Sequence, residues 1–315
     1  MAEICVIILT YNEEKHIERA ISSAQEIAAQ IFVVDSFSTD RTCEIARAFG
    51  AEVVQHAYIV QSRQFQWAID NLPITTEWVM RLDADETLTP ELVSEINQSL
   101  PRLPTSVTGV TLRRRHVFMG RWIRHGARYP ITLLRIWRRG TACIELRWMD
   151  EHMILLCGRA VGFKHDFSDH NLSDLSSFIR KHNEYATREA IDVLIDRYHL
   201  LEWHHGPAAF TNIQMAAKRR VKENLYNRLP IWIGPASYFL YRYFVRLGFL
   251  DGQEGIIYHF LQAFWYRFLV GIKVDELERL LQSLPDREAR IAAIGRTIGY
   301  SSIDLTTTRI TKSEI

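Results

Sequence analysis

Residues Trp78–Glu91, "WVMRLDADETLTPE", run an apolar strand straight into three acids, Asp83, Asp85 and Glu86, with Ala84 between the first two. Carboxylates held that close repel one another unless positive charge stands between them. A divalent cation is the natural partner, because hard metals take oxygen ligands from carboxylates and phosphates together. A strand end followed by a solvated acidic turn would place the same residues with no chemistry at all. The difference lies in whether other polar clusters fall on the same edge.

The elements around the motif place them there. Ile4–Leu9 and Ile31–Val34 are short apolar runs of the kind found in strands buried on both faces. Glu52–Gln55 and Glu77–Leu82 complete a set of four strands. Between them the spacing predicts a helix capped by Asn12 and opening with Glu13 and Glu14, a second capped by Ser38 over Thr39–Phe49 and stopped by Gly50, and a third over Gln61–Asp70. Thr89-Pro90 opens a fourth helix, with a cap followed by proline at its first position. Alternating strands and helices imply an α/β domain with a mostly parallel sheet, in which ligands bind outside the carboxyl ends of the strands. Thr10–Glu13, Asp35–Asp40 and Asp83–Glu86 all fall at such ends. Three clusters on one edge read as a site. From Val107 to about Val161 the alternating, arginine-rich texture predicts antiparallel strands, and a helical region begins near Leu172.

The chain has 315 residues, 47% hydrophobic and 24% charged, with a net charge of +1. That balance suits one large domain, or one domain with an appendage, and supplies no global field for nucleic acid. The four cysteines are scattered without a CxxC pair, as expected of reduced thiols in a cytosolic setting. No run resembles a signal peptide or a spanning segment.

"VIILTYNEEKHIERAISSA", "IFVVDSFSTDRTCEIARAFGA" and "WVMRLDADETLTPEL", in that order and spacing, resemble the family 2 glycosyltransferases of GT-A fold, above all bacterial members that build lipopolysaccharide core, capsule or other surface polysaccharides. The resemblance implies a GT-A catalytic domain over residues 1–170, a helical region over 171–300 at the membrane interface or between subunits, and a polar tail over 301–315. It implies an inverting transfer from a nucleotide-diphosphate sugar, UDP favoured, assisted by Mn²⁺ or Mg²⁺. Asp85 is then the direct metal ligand, and Asp83 contacts the ribose or reaches the metal through water, beside Ala84 of the same motif. Thr10, Tyr11 and Glu13 form the first donor loop, Asp35 receives the base, and Arg63 lies near base and phosphate. Inverting transfer needs a carboxylate to take the acceptor proton. "WMDEHM" offers Glu151, with Asp150 a close competitor. His165 is a candidate third metal ligand. Arg180 and Lys181 could hold the diphosphate, and a solvated helix face accounts for them equally.

"LPIWIGPASYFLYRYFVRLGFLDGQEGIIYHFLQAFWYRFLV" is crowded with aromatics and carries Arg228, Arg242, Arg246 and Arg267. That spacing suits helices lying in a membrane interface, arginines toward lipid phosphates, with a break at Asp251-Gly252. A packed helical subdomain or homo-oligomer interface would use the same face. The expectation is a cytoplasmic enzyme, peripheral on the inner leaflet, acting on a lipid-linked or polysaccharide acceptor. Two alternatives differ in class. A nucleotidyltransferase would carry a glycine-rich basic loop where this chain has "TYNEE", and an inactive scaffold would have no need of Asp35, Asp83, Asp85 and the Asp150–Glu151 pair.

Overall fold

A computed structural model of the chain describes residues 3–58, 60–145, 151–200 and 230–298. In chain order the first half gives β1 (Ile4–Thr10), α1 (Ile17–Ala24), β2 (Ala28–Asp35), α2 (Thr42–Ala48), β3 (Glu52–Gln55), α3 (Gln61–Asn71), β4 (Trp78–Arg81), β5 (Glu86–Leu88) and α4 (Pro90–Ser99). Then come β6 (Val107–Phe118), β7 (Arg121–Trp122), β8 (Ile131–Arg138), β9 (Ala142–Ile144), β10 (Met153–Leu155) and β11 (Arg159–His170). The helices α5 (Leu175–Tyr198), α6 (Ile233–Leu240), α7 (Gly252–His259), α8 (Tyr266–Gln282) and α9 (Arg287–Ile298) complete the described chain.

Nine strands form one sheet in the order β3-β2-β1-β4-β8-β6-β11-β5, with β7 attached to β6. The pairs β3–β2, β2–β1 and β1–β4 are parallel, whereas β8 runs antiparallel to both β4 and β6. The apolar runs read from the sequence become β1, β2 and β4, each buried along most of its length because α1 and α4 cover one face and α3 with the β9–β10 hairpin covers the other. This is the GT-A type of α/β fold, with the helical C-terminal region that the sequence implied.

Register aligns the strand ends. Thr10 pairs with Asp35, and Asp35 with Gln55, so three polar side chains stand in one row at the carboxyl edge. Two helix starts differ from expectation. α1 begins at Ile17 and α2 at Thr42, because the polar residues expected to cap them are used between the loops. Asn12 accepts from the Thr39 amide at 2.8 Å, and the Glu13 amide donates to Thr42 Oγ1 at 2.7 Å. Asn12 adopts φ +56°, a left-handed turn that Asn tolerates. The Thr89 cap is formed as expected, accepting from the Leu92 amide at 3.3 Å.

The C-terminal helices bury an apolar face of their own. Ala186, Ala190, Ile191 and Leu194 of α5 pack against Tyr266, Val270 and Val274 of α8. No helix among the described residues is long and apolar enough to cross a membrane.

Candidate active site

The sequence posed Asp83, Asp85 and Glu86 as acids without a cation. Two arginines answer for two of them. Arg81, at the end of β4, donates from Nε to Asp83 at 3.1 Å, and Arg135 of β8 reaches Asp83 at 3.3 Å and closes tightly on Glu86. The Asp83 amide also donates to Glu86 at 2.9 Å, closing the turn around the buried Ala84. Burial works against the Asp83 carboxylate, but Arg81 and Arg135 prevail and hold it well below the usual carboxylate range. Glu86 is governed by burial, which pushes it up to about 8 against the pull of Arg135. Arg81 stands two places before Asp83, the spacing that puts both on one face of a strand, so this partner was legible. Arg135 comes from a strand fifty residues on and left no signal.

Asp85 is left facing the edge. Its carboxylate accepts from Asn171 at 3.0 Å, and its backbone carbonyl accepts from the His170 amide at 2.9 Å. Desolvation and the nearby Asp169 raise its pKa, while Lys181 and Asn171 oppose the rise. An acid whose charge Lys181 offsets only in part is a fitting ligand for a divalent ion. Among the described residues no three His, Cys, Asp or Glu side chains converge closely enough to enclose one. The chain would therefore supply a partial set of ligands around Asp85 and leave the rest to donor phosphate and water, a pattern common for Mg²⁺.

His165 is not brought to Asp85. A bulge in the pairing of β11 with β6, between Gly162 and Asp166, turns it out toward α4. There Glu95 accepts from the amides of Lys164 and His165 and bonds His165 Nδ1 at 2.9 Å. His170, five residues on at the end of the strand, is the histidine beside Asp85, about 16 Å further along at the usual strand rise. Its Asp169 neighbour pairs with His116 at 3.0 Å. Sequence reasoning missed both, since the register of β11 against β5, with Asp169 opposite Glu86, decides which histidine of "KHDFSDH" meets the motif.

The loops expected to meet a donor are bound to one another. Asp35 is fully buried and accepts from Thr10 Oγ1 at 3.1 Å, from the Ser38 amide at 2.9 Å and from Gln55 Nε2 at 3.3 Å. Burial lifts its pKa, but these bonds, those from Ser38 foremost, outweigh burial and keep it low. Ser38 thus serves Asp35 rather than capping α2. Tyr11 is exposed beside this row. Glu13 bonds His16 Nδ1 at 2.6 Å, and His16 Nε2 accepts the Leu172 amide at 2.8 Å. Because Nε2 accepts, the His16 proton resides on Nδ1 and is donated to Glu13. This neutral histidine straps the first loop to the connection that follows β11. Arg19, also missed, donates to the His170 carbonyl at 2.9 Å.

Glu151 lies two residues before β10, and Arg81 Nη2 donates to it at 3.4 Å. Arg81 therefore ties this carboxyl to Asp83. Burial raises the Glu151 pKa and Arg81 partly offsets the rise. Asp150, the competitor, lies outside the described residues. Lys181, on α5, is close enough to Asp85 and Glu13 that both carboxylates, after Tyr185, raise its pKa against burial. Arg180 is exposed on α5, where its charge helps, after the bonds from Ser177, to lower the Asp174 pKa. Arg63 is half-buried on α3, the helix that flanks β3.

Residues 5–171 match the family described as glycosyl transferase family 2, and the chain belongs to that family. An uncharacterized glycosyltransferase of Rickettsia bellii is 42% identical over 96 residues, 30% of this chain and 31% of that protein. One from Rickettsia typhi is 40% identical over 96 residues, 30% of this chain and 32% of that protein. The match thus spans about a third of the length of these relatives. Among solved structures, glucosyl-3-phosphoglycerate synthase of Mycobacterium tuberculosis aligns at 22% identity and TM-score 0.31, over 37% of this chain and 44% of that one.

Proposed function

We propose that this chain is an inverting, metal-dependent glycosyltransferase that moves a sugar from a nucleotide diphosphate, UDP favoured, to a lipid-linked or polysaccharide acceptor in bacterial surface-glycan synthesis. The observation that carries the reading is the sorting of the acids. Asp83 and Glu86 are hydrogen-bonded to buried arginines, whereas Asp85 keeps a raised pKa even with Lys181 nearby, at an edge that already holds Thr10 and Asp35. Membership of the family supports the reaction class.

In this reading the base and ribose lie along Tyr11, Asp35 and Arg63, and the diphosphate reaches toward Asp85 and Lys181. Mn²⁺ or Mg²⁺, held by Asp85, supplies charge neutralisation for the departing diphosphate. Glu151 takes the acceptor proton, and burial, by raising its pKa, makes it a stronger base than an exposed carboxylate. Arg81 keeps that carboxylate oriented and favours its ionised form. The enzyme works on the inner face of the cytoplasmic membrane, where a soluble donor and an anchored acceptor meet.

The test is thermal stabilisation by UDP, GDP, CMP and dTDP, each with and without Mn²⁺, on wild type and on Asp85→Ala. A ligand at a hundred times its dissociation constant adds about 2.7 kcal/mol. One nucleotide is expected to stabilise wild type only with metal, and Asp85→Ala not at all, with the variant still folded and inactive in transfer. Wild-type transfer by Asp85→Ala would overturn the metal role.

A further inference from the structure

The arginines of the C-terminal segment do not all face lipid. Arg242 is buried and donates from Nε to the Gly126 carbonyl at 2.9 Å, Arg267 pairs with Glu189 at 2.5 Å, and Arg228 lies outside the described residues. The exposed apolar surface is correspondingly concentrated. From the last residue of α6 to the start of α7, Leu240, Phe244, Val245, Leu247, Phe249 and Leu250 all stand in solvent, Val245 at 68% and Phe244 at 56%. A run of large side chains left open at one tip marks an interaction surface.

The tip is built to stay open. The Gly126 amide donates to the Arg246 carbonyl at 2.8 Å while Arg242 grips the Gly126 carbonyl. On the other side Asp251, 2% exposed, accepts from the His125 amide at 2.8 Å and bonds His125 Nδ1 at 2.7 Å. The His259 ring fills the space between Gly126 and Gly248, where a β-carbon on Gly126 would come within 2.1 Å of it. Leu247 holds φ +60° and Gly252 φ +70°, so the turn itself is fixed. Exposed arginines ring the apolar tip: Arg246 within it, Arg121 and Arg124 at its base. Arg121 donates to the Leu250 carbonyl at 3.4 Å and meets Glu254 at 3.6 Å.

We propose that the tip Leu240–Leu250 inserts into the headgroup region of an anionic bilayer, Phe244, Val245 and Leu247 entering the acyl boundary while Arg246, Arg121 and Arg124 meet lipid phosphates. The charge of the rim selects lipid over a second copy of this chain, whose matching tip would bring the same arginines together. The element is also continuous with the site. The Tyr258 ring of α7 meets the His116 ring at 4.9 Å in a tilted contact, and His116 holds Asp169 beside His170. This rests on the acceptor reading above: the lipid surface is presented to the Asp85 edge through a rigid base, as a lipid-anchored acceptor requires.

The experiment is co-sedimentation of the full chain with phosphatidylcholine vesicles and with vesicles containing phosphatidylglycerol, for wild type, F244S/V245S/L247S and Arg246→Glu, with sedimentation velocity and nucleotide stabilisation run in parallel. Wild type is expected to bind the anionic vesicles, the triple variant to lose at least tenfold in partitioning, and Arg246→Glu to lose the preference for anionic lipid. These side chains are exposed, so the variants keep the wild-type melting temperature. No vesicle binding by wild type, with nucleotide stabilisation intact, overturns the insertion and leaves the transferase. Self-association abolished by the triple variant, without vesicle binding, assigns the tip to a second copy and overturns it equally. Vesicle binding without any nucleotide effect overturns the transferase reading instead.

Discussion

Glu151 is a carboxyl pulled two ways, upward by burial and downward by Arg81 at 3.4 Å, with burial prevailing. A base acts only when ionised. The sign follows: below the raised pKa the carboxyl is protonated and transfer slows, so the acid limb of the rate profile lies above the ordinary glutamate value of about 4.3. Glu151→Gln is expected to cost roughly 10²–10⁴-fold in turnover and to erase that limb. Nucleotide stabilisation of the variant should stay at the wild-type level. A variant that keeps both rate and limb would pass the role to another group. At this scale the sequence told which acids belong to the edge, because acids that end apolar strands are few. It could not tell which of them were already matched, since Arg135 meets Glu86 only through the sheet order.

The elements were read best where local chemistry decides them. Buried strands announce themselves as apolar runs, and β3 was read to the residue as Glu52–Gln55. The Thr89-Pro90 start of α4 held for the same reason. Thr89 caps the helix and also donates from Oγ1 to the Asp166 carbonyl of β11 at 2.9 Å, joining α4 to the strand that ends at the site. Thr89→Ala is expected to lower stability by about 1 kcal/mol, read from chemical denaturation, with nucleotide affinity unchanged. A loss of affinity would mean that this cap positions β11. The starts of α1 and α2 were misjudged because Asn12 and Ser38 are spent on contacts more than twenty residues away or on Asp35. Local rules cannot price such bonds. The β11 bulge that turns His165 away is hidden likewise, being a property of the pairing with β6.

The molecule as a whole places its site where parallel strands give way to antiparallel ones. β4 pairs in parallel with β1 and antiparallel with β8, and Arg81 and Arg135 come from β4 and β8. The sequence disclosed this change of texture near Val107 and the helical region after the sheet. It raised Lys181 as a diphosphate contact without deciding between that and a solvated helix face, and it did not disclose that Arg242 and Arg267 turn inward. Arginine spacing resembles an interfacial helix whether the side chains meet lipid or a carbonyl. Only the packing of α6 and α7 on the Gly126 loop separates them.

The row Thr10–Asp35–Gln55 ends at β3, a four-residue strand paired on one side only. Short edge strands open locally at small free-energy cost, and their amides exchange with solvent far faster than those of the core. The His56 amide, bonded to the Asp35 carbonyl at 3.0 Å, reports that opening directly. A nucleotide base seated on Asp35 would close the frayed edge, slowing deuterium uptake across residues 52–56 while β1 and β4, already protected, stay as they were. Uptake unchanged at saturating nucleotide would put the base elsewhere. Donor binding in this fold is then also an act of sheet completion, felt most where the sheet is weakest.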